Sequence, residues 1–533
     1  MRALRVIFYC CLLYALPAHA LTQADLAPLV GDDFDAKLTL VDKLGESDDK
    51  AAKTVLQALS DGNLSASSSG QVVLSQGDTY VDAATGAPVT VNAADLQDVV
   101  VNNRMHRHLD SALAGLSLFD ADAKIRLAAA QQLAGHADAE FLPVIVKAVK
   151  REQDPKIKKL LLQSQAMILL DSTDAAQRKE AAQILGGSDS PKVRASLAER
   201  IDKNAQGSAI ETDPAVRQAI VKAIAKIDSS MAMAEYLARI FSGISLGSVL
   251  MLAALGLAIT YGLMGVINMA HGEFLMIGAY ATYAVQGVFR HFFPVQLDWY
   301  LPAALPVAFI VTFLVGVILE RSVIRWLYGR PLESLLATWG LSLILIQAVR
   351  TIFGPQNVEV ANPGWMSGGW EVIPNLILPY NRMVIIGFSL GVLLIVWLIL
   401  TRTRLGLFVR GVTQNRKMAD CLGVPTSRVD TLTFGFGAGI AGLGGVALSQ
   451  IGNVGPELGQ SYIVDSFMVV VLGGVGQLAG TVAGGFGLGI VNKFLEPWIG
   501  AVLAKIIVLI FIIAFIQKRP QGMFAMKGRT VDN

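Results

Sequence analysis

Residues 261–280 read YGLMGVINMAHGEFLMIGAY. Within this apolar run an amide, an imidazole and a carboxylate (Asn268, His271 and Glu273) fall in six consecutive positions. Polar side chains at membrane depth are costly and face a bundle interior or a water-filled cavity. Together these three offer hydrogen-bond donors and acceptors to a passing polar solute. On a regular helix Asn268 and His271 share a face while Glu273 points elsewhere. Unwinding at Gly272 would bring all three onto one cavity wall. Interhelical hydrogen bonds that fix packing, each worth about 1 kcal/mol, are the alternative role. A second glycine-broken apolar stretch contains Gly473, Gly474 and Gly476, followed by Gly480, Gly484 and Gly485. Paired interrupted segments in two halves of a chain point to a central pathway. Gly473, Gly474 and Gly476 are therefore expected as a helix break in that pathway.

No residue set suggests catalysis. A P-loop needs Gly-Lys followed by Ser or Thr, and the dipeptide Gly-Lys is absent. Any ATP work therefore falls to another subunit. LGGVGQ (472–477) has a superficial likeness to the ATP-binding-cassette signature, but it lies inside an apolar run. His106 and His108 form an HxH pair with no third ligand at a useful spacing. They are read as a solvated helix face, and neither metal nor cofactor is expected. The net charge of +2 gives no basic field for nucleic acid.

Three segments must position these residues. The chain has 533 residues, 53% hydrophobic and 16% charged, with a mean hydropathy of +0.51; that balance implies several membrane spans. Residues 1–20 read as a secretory signal: Arg2 and Arg5, a short apolar core, then Ala18-His19-Ala20 for cleavage, so the mature chain is expected to begin at Leu21. Cys10 and Cys11 leave with it, and Cys421 has no partner, so no disulfide is expected.

Residues 21–230 read as a soluble domain. The motifs DAKIR, DPKIK, SPKVR and DPAVR start at 122, 154, 190 and 213. Each offers a cap, a first-turn residue and the start of an apolar stripe, in the manner of a degenerate HEAT-like array. Ahead of it, 70–91 alternates apolar and polar residues around turn signals, as a small β-hairpin insert would.

From 231 to 533 long charge-free stretches dominate, enough for about eight or nine crossings. Export of the first domain puts Arg321, Arg325 and Arg330, and then Arg402 to Arg428, on the cytoplasmic side, as the positive-inside rule requires. A cytoplasmic tail bearing Lys518, Arg519, Lys527 and Arg529 needs an odd number of spans. Two short crossings around GGVGQ would supply it, with Lys493, Glu496 and Lys505 in one outer loop. Trp365 and Trp370 read as interfacial anchors. The series Gly437, Ala441 and Gly445 reads as helix packing. The basic loop 402–434 is helical in pattern, and Gly423-Val424-Pro425 ends the helix. It is either a solvated connector or a short helix that docks on a cytoplasmic partner.

Residues 240 to about 528 resemble, end to end, the branched-chain amino acid permease family of ABC importers. The matching pieces are YGLMGVINMAHGEFLMIGAY, NRKMADCLGVPTSRV, VVVLGGVGQLAGTVAGGFGLGI and RPQGMF. An exported soluble domain ahead of the membrane part resembles the urea-transporting members. Taken with the readings above, the expected fold is an all-α polytopic membrane permease with an exported α-helical, HEAT-like repeat domain carrying a small β insert, set in a bacterial inner membrane. The resemblance also implies a second permease of the same type, two cytoplasmic ATPase subunits and a periplasmic binding protein. Arg410, Asn415, Ala419, Leu422 and Gly423 then form the ATPase-coupling loop. Urea is the implied solute, with branched-chain amino acids or short-chain amides as alternatives. A stand-alone passive urea or amide channel is the competing reading from a different class.

Overall fold

The computed structural model describes residues 21–524 except 32, 46, 48–49, 68–69, 77–78, 92–94, 136–138, 203–209 and 266. The expected signal segment, and Lys527 and Arg529 of the tail, lie outside the described residues. The chain divides into two compact units, Met1–Ser230 and Met231–Asn533.

After short helical turns at Gln23–Leu26 and Ala27–Leu29, the first unit has helices α1 (Phe34–Gly45) and α2 (Lys50–Ser60), then strands β1 (Leu64–Ser67), β2 (Val72–Gln76), β3 (Thr79–Asp82) and β4 (Leu96–Asp98). The four strands form one antiparallel sheet in the order β3-β2-β1-β4. The β insert is thus wider than a hairpin over 70–91. Strand β1, Leu-Ser-Ala-Ser, has no β-branched residue to announce it; burial and pairing of Leu64 with Leu74 and Ala66 with Val72 make it a strand.

Helices α3 (Asn103–Ser117), α4 (Ala123–Gly135), α5 (Leu142–Arg151), α6 (Pro155–Leu169), α7 (Ala175–Leu185) and α8 (Pro191–Ile201) follow. The four recurring motifs all stand at helix starts. Asp122, Asp154 and Asp213 accept from the backbone amides of Lys124 (2.9 Å), Lys156 (2.8 Å) and Ala215 (2.7 Å), whereas Ser190 makes no side-chain cap.

Two arginines tie successive segments together. Arg126 grips Glu152 at 2.8 and 3.2 Å and donates to the carbonyls of Asp120 and Ala121. Arg178 repeats the arrangement on Glu211 and the carbonyls of Ser172 and Thr173. The arginine hydrogen bonds hold the Glu152 and Glu211 carboxyls below the usual glutamate range. His106 is exposed as expected, but His108 meets Asp42 of α1 at 3.0 Å, so the HxH pair is not one solvated face.

Helix α9 (Pro214–Met264) carries the boundary between the units. The second unit continues with α10 (His271–Phe292), α11 (Tyr300–Ser322), α12 (Pro331–Phe353), the β5 (Gly369–Ile373) and β6 (Leu376–Pro379) hairpin, and α13 (Tyr380–Arg402). Then come the short α14 (Arg404–Gln414) and α15 (Arg416–Cys421), followed by α16 (Thr426–Ser449), α17 (Leu458–Gly473), α18 (Leu478–Ile499) and α19 (Ala501–Lys518).

Among the described residues, seven helices are long and apolar enough to cross a membrane, which makes this a multi-pass membrane protein. The expected eight or nine differ through α10 and α17. Helix α10 is too polar, with His271, Glu273, Thr282 and Gln286 buried, and α17 has only 16 residues. Neighbouring helices pack on both, so α10 does not need the composition, nor α17 the length, of a lipid-facing span. Lys493 and Glu496 do not share an outer loop with Lys505. They bond at 2.5 Å within α18, and Lys505 reaches Asp465 of α17 at 2.8 Å. Trp365 and Trp370 are both half exposed, and the Trp365 indole donates to the Asp298 carbonyl. Helix α16 packs through its glycines: a Cβ on Gly437 would stand 2.5 Å from Thr260 Cγ2, and one on Gly445 2.8 Å from the Ala279 nitrogen.

Candidate functional site

The chain stops being helical after Met264, turns at Gly265 (φ 64°), and resumes at His271. The interruption precedes the polar cluster, so Gly272 is not a point of unwinding; it lies in the first turn of α10. There it packs against the Gly459 backbone at the start of α17, so close that a Cβ on either glycine would overlap the other's carbonyl.

Asn268, in the turn, accepts from the Ala270 amide at 3.0 Å. The His271 Nε2 meets the Ala253 carbonyl of α9 at 3.0 Å; a carbonyl only accepts, so Nε2 carries the proton. Glu273 Oε1 accepts from Ser342 Oγ of α12 at 2.7 Å. All three side chains are buried, yet they diverge: Asn268 caps its own turn, His271 points to α9 and Glu273 to α12. The single cavity wall expected from an unwound Gly272 is therefore replaced by polar contacts distributed around the start of α10. Each residue keeps one polar atom without a protein partner: Asn268 Nδ2, His271 Nδ1 and Glu273 Oε2.

Helix α12 contributes residues that sequence reasoning missed. Ser334, Thr338 and Ser342 are buried in a row, and Thr338 Oγ1 accepts from the Met269 amide at 3.1 Å. The signal was their i, i+4, i+8 spacing in an otherwise apolar helix. Among the described residues of the second unit, no Lys or Arg is buried.

The depth of this cluster follows from α9. Ala253 lies 11 residues before the helix end at Met264 (264 minus 253), which is about 16 Å at 1.5 Å per residue. Helix α10 thus starts about 16 Å back along α9 from its end, and α17 starts beside it at Gly459. Helix α17, 16 residues long, spans only about 24 Å before it ends at Gly473. The turn that follows uses Gly474 (φ 100°) and Gly476 (φ 76°). A Cβ on Gly262, near the end of α9, would meet Gly476 at 2.7 Å. The terminal segment closes over the same break: the Met523 amide donates to the Leu472 carbonyl at 2.9 Å and the Phe524 amide to that of Gly473 at 3.2 Å. Two interrupted helices therefore begin side by side in the bundle, the geometry in which half-helices frame a transport site.

The loop between α13 and α16 folds into α14 and α15. Arg410 of α14 donates to the Leu400 carbonyl. Asn415 caps α15 by accepting from the Met418 amide at 3.0 Å, and Gly423 (φ 79°) ends it. Ala419 is buried among Val412 and Val429, while Leu407, Met418 and Leu422 stand 59%, 61% and 82% exposed. Of the five residues expected in this loop, Leu422 presents an apolar side chain outward and Ala419 packs inward.

A family model described as "Branched-chain amino acid transport system / permease component" matches residues 239–516. The chain is similar to the high-affinity branched-chain amino acid transport system permease protein BraD of Pseudomonas aeruginosa, 29% identical over 295 residues, covering 54% of this chain and 95% of that protein. It is 30% identical over 294 residues to the corresponding permease protein LivH of Escherichia coli K12, with the same shares of 54% and 95%. A probable branched-chain amino acid transport permease protein of Methanocaldococcus jannaschii is 25% identical over 300 residues, covering 52% of this chain and 88% of its own length. No solved structure matches the chain. These relatives are transport subunits and not enzymes. From its second unit, the chain belongs to the branched-chain amino acid transport system permease component family.

Proposed function

We propose that the chain is the membrane-spanning subunit of an ATP-driven importer for a small neutral amide-like solute, urea first. The observation that carries this reading is the polar cluster around the start of α10. Buried Asn268, His271 and Glu273 keep an amide donor, an imidazole nitrogen and a carboxyl oxygen without protein partners there, and among the described residues of the unit no Lys or Arg is buried. Urea has four N–H donors and one carbonyl acceptor, and it needs partners of this kind without a fixed counter-charge. A zwitterionic amino acid favours compensated charges instead. The amino acid transport named for the relatives is the alternative.

In this reading the pathway runs past Asn268, His271, Gly272 and Glu273 and the break at Gly473, Gly474 and Gly476. The α14–α15 surface around Leu407, Met418 and Leu422, held by Arg410, Asn415, Ala419 and Gly423, docks on one of two cytoplasmic ATPase subunits. A second permease of the family completes the pathway, and a periplasmic binding protein delivers the solute. Residues 21–230 follow a cleaved signal, stand in the periplasm of an inner-membrane complex, and form a HEAT-like partner-binding array.

The test is uptake of radiolabelled urea by the reconstituted complex, with ATP inside the vesicles and leucine or acetamide as competitors. ATP-dependent urea uptake that leucine does not compete supports the proposal. Leucine uptake without urea uptake would establish the alternative. Urea flux indifferent to ATP would establish a passive channel.

A further inference from the structure

At the end of the bundle that carries the α14–α15 loop, two buried carboxyl groups are held by arginines and hydroxyls from three separate segments. Asp430, in the first turns of α16, is 1% exposed, and Arg416 at the start of α15 grips both of its oxygens. The same guanidinium lies over the Tyr328 ring, 5.2 Å from its centroid. The Tyr328 hydroxyl donates to Glu320 Oε1 of α11 at 3.0 Å. Glu320, fully buried, also accepts at Oε2 from Thr431 Oγ1 (2.6 Å) and from Arg325 (3.4 Å), and Arg325 donates to Thr431 Oγ1 at 3.1 Å. Bidentate arginine fixes both distance and angle, which a single point charge does not.

We propose that Arg416 and Asp430 are positioning residues that join the ATPase-docking loop to the membrane core. Through them a displacement of α15 is imposed on α16 rather than absorbed in the loop. The inference rests on the importer reading and adds to it a specific mechanical link. Besides this pair the loop meets α16 through the small apolar cluster of Val412, Ala419 and Val429, which can slide, and through an exposed hydrogen bond from Thr426 Oγ1 to Asp420 at 3.3 Å at the very start of α16. Asp430 is the buried end of this pair and Arg416 its half-exposed end, so pulling Arg416 away leaves the Asp430 carboxylate in an apolar interior without its partner. Tyr328, Glu320, Thr431 and Arg325 brace the pair against α11, so the grip holds its direction as well as its length.

The experiment uses the complete transporter in proteoliposomes, with its ATPase subunits and binding protein. Arg416→Gln should retain the ATPase subunits at the wild-type ratio. It should lose the stimulation of ATP hydrolysis by solute-loaded binding protein, and uptake per complex should fall about tenfold, within the usual range of coupling between sites. Exchanging the pair, Arg416→Asp with Asp430→Arg, should restore part of both. If Arg416→Gln does not assemble, Asp430→Asn, which leaves no buried carboxylate uncompensated, is judged by the same measures. Unchanged stimulation and uptake in an assembled single variant would overturn the proposal. So would loss of the ATPase subunits from both single variants without recovery in the exchange, because the pair would then serve docking alone. A wild-type complex without ATP-dependent uptake would instead refute the importer reading.

Discussion

Removing one hydroxyl tests the central polar cluster. In Ser342→Ala, Glu273 loses the donor at 2.7 Å from Oε1, and Oε2 already has no protein partner. The carboxyl group, 1% exposed, is then left without a hydrogen bond. An average interhelical hydrogen bond in a membrane is worth about 0.6 kcal/mol, whereas stranding a buried polar group costs up to about 3 kcal/mol. Burial of Glu273 puts the expected loss in the upper half of that range, about 2 kcal/mol. At roughly 2–4 °C per kcal/mol for a unit of this size, the midpoint falls by roughly 4–8 °C. Glu273→Gln does the opposite: it keeps the acceptor for Ser342, and a neutral amide is cheaper to bury than a carboxylate. Its midpoint should match or exceed the wild type, and a neutral solute should still cross. Thermal denaturation of the solubilised complex, followed by size-exclusion chromatography, gives the midpoints, and uptake per complex gives transport. An unchanged midpoint in Ser342→Ala would refute the energetic argument. A well-assembled Glu273→Gln complex that no longer transports would refute the neutral-solute pathway.

Other consequences are equally direct. Leu422→Asp and Met418→Asp should release the ATPase subunits from a correctly folded permease, whereas Ala419→Asp should destabilise the loop itself; co-purification and thermal midpoints separate these outcomes. Glu152 and Glu211 have folded-state pKa values depressed by Arg126 and Arg178. Their contribution is therefore present above the ordinary glutamate value and lost as pH falls through the depressed one. Limited proteolysis of the whole protein should show the first unit opening on acidification, and Glu152→Gln should open it already at neutral pH. Gly474→Ala should cost about 1–2 kcal/mol in backbone strain at positive φ and push the terminal segment off its seat, since the new Cβ would stand 2.5 Å from the Phe524 carbonyl; faster protease trimming of the tail measures it.

The sequence was readable where a local rule decides the outcome. Asp-Pro pairs at 154–155 and 213–214 mark helix starts because capping and a fixed φ act within one turn. It was less readable where a distant partner decides. Arg126 meets Glu152 and Arg178 meets Glu211 across intervening helices, although the recurrence of Glu-x-Asp-Pro at 152–155 and 211–214 was there to be seen. Helix α10 fails the hydropathy rule because protein, not lipid, surrounds its polar residues, and α17 fails on length alone. Gly272 looked like a hinge by its composition, yet its lack of a side chain serves contact with Gly459, and the hinge is Gly265, whose φ of 64° no sequence pattern displayed.

Helix α16 connects the two ends of the proposed mechanism. Asp430 and Gly437 are seven residues apart (437 minus 430), about 10 Å along the helix. Gly437 packs on Gly256 of α9, and the His271 ring lies against that same Gly256. Farther along, Gly445 sits on the backbone of Leu275 and Ala279 of α10. These are backbone-to-backbone contacts with no flexible side chain between them, so α16 cannot shift along its axis without moving α9 or α10. A displacement gripped at Asp430 is thus delivered, within two turns of rigid helix, to the level where α10 begins and Asn268, His271 and Glu273 hold their unpartnered atoms.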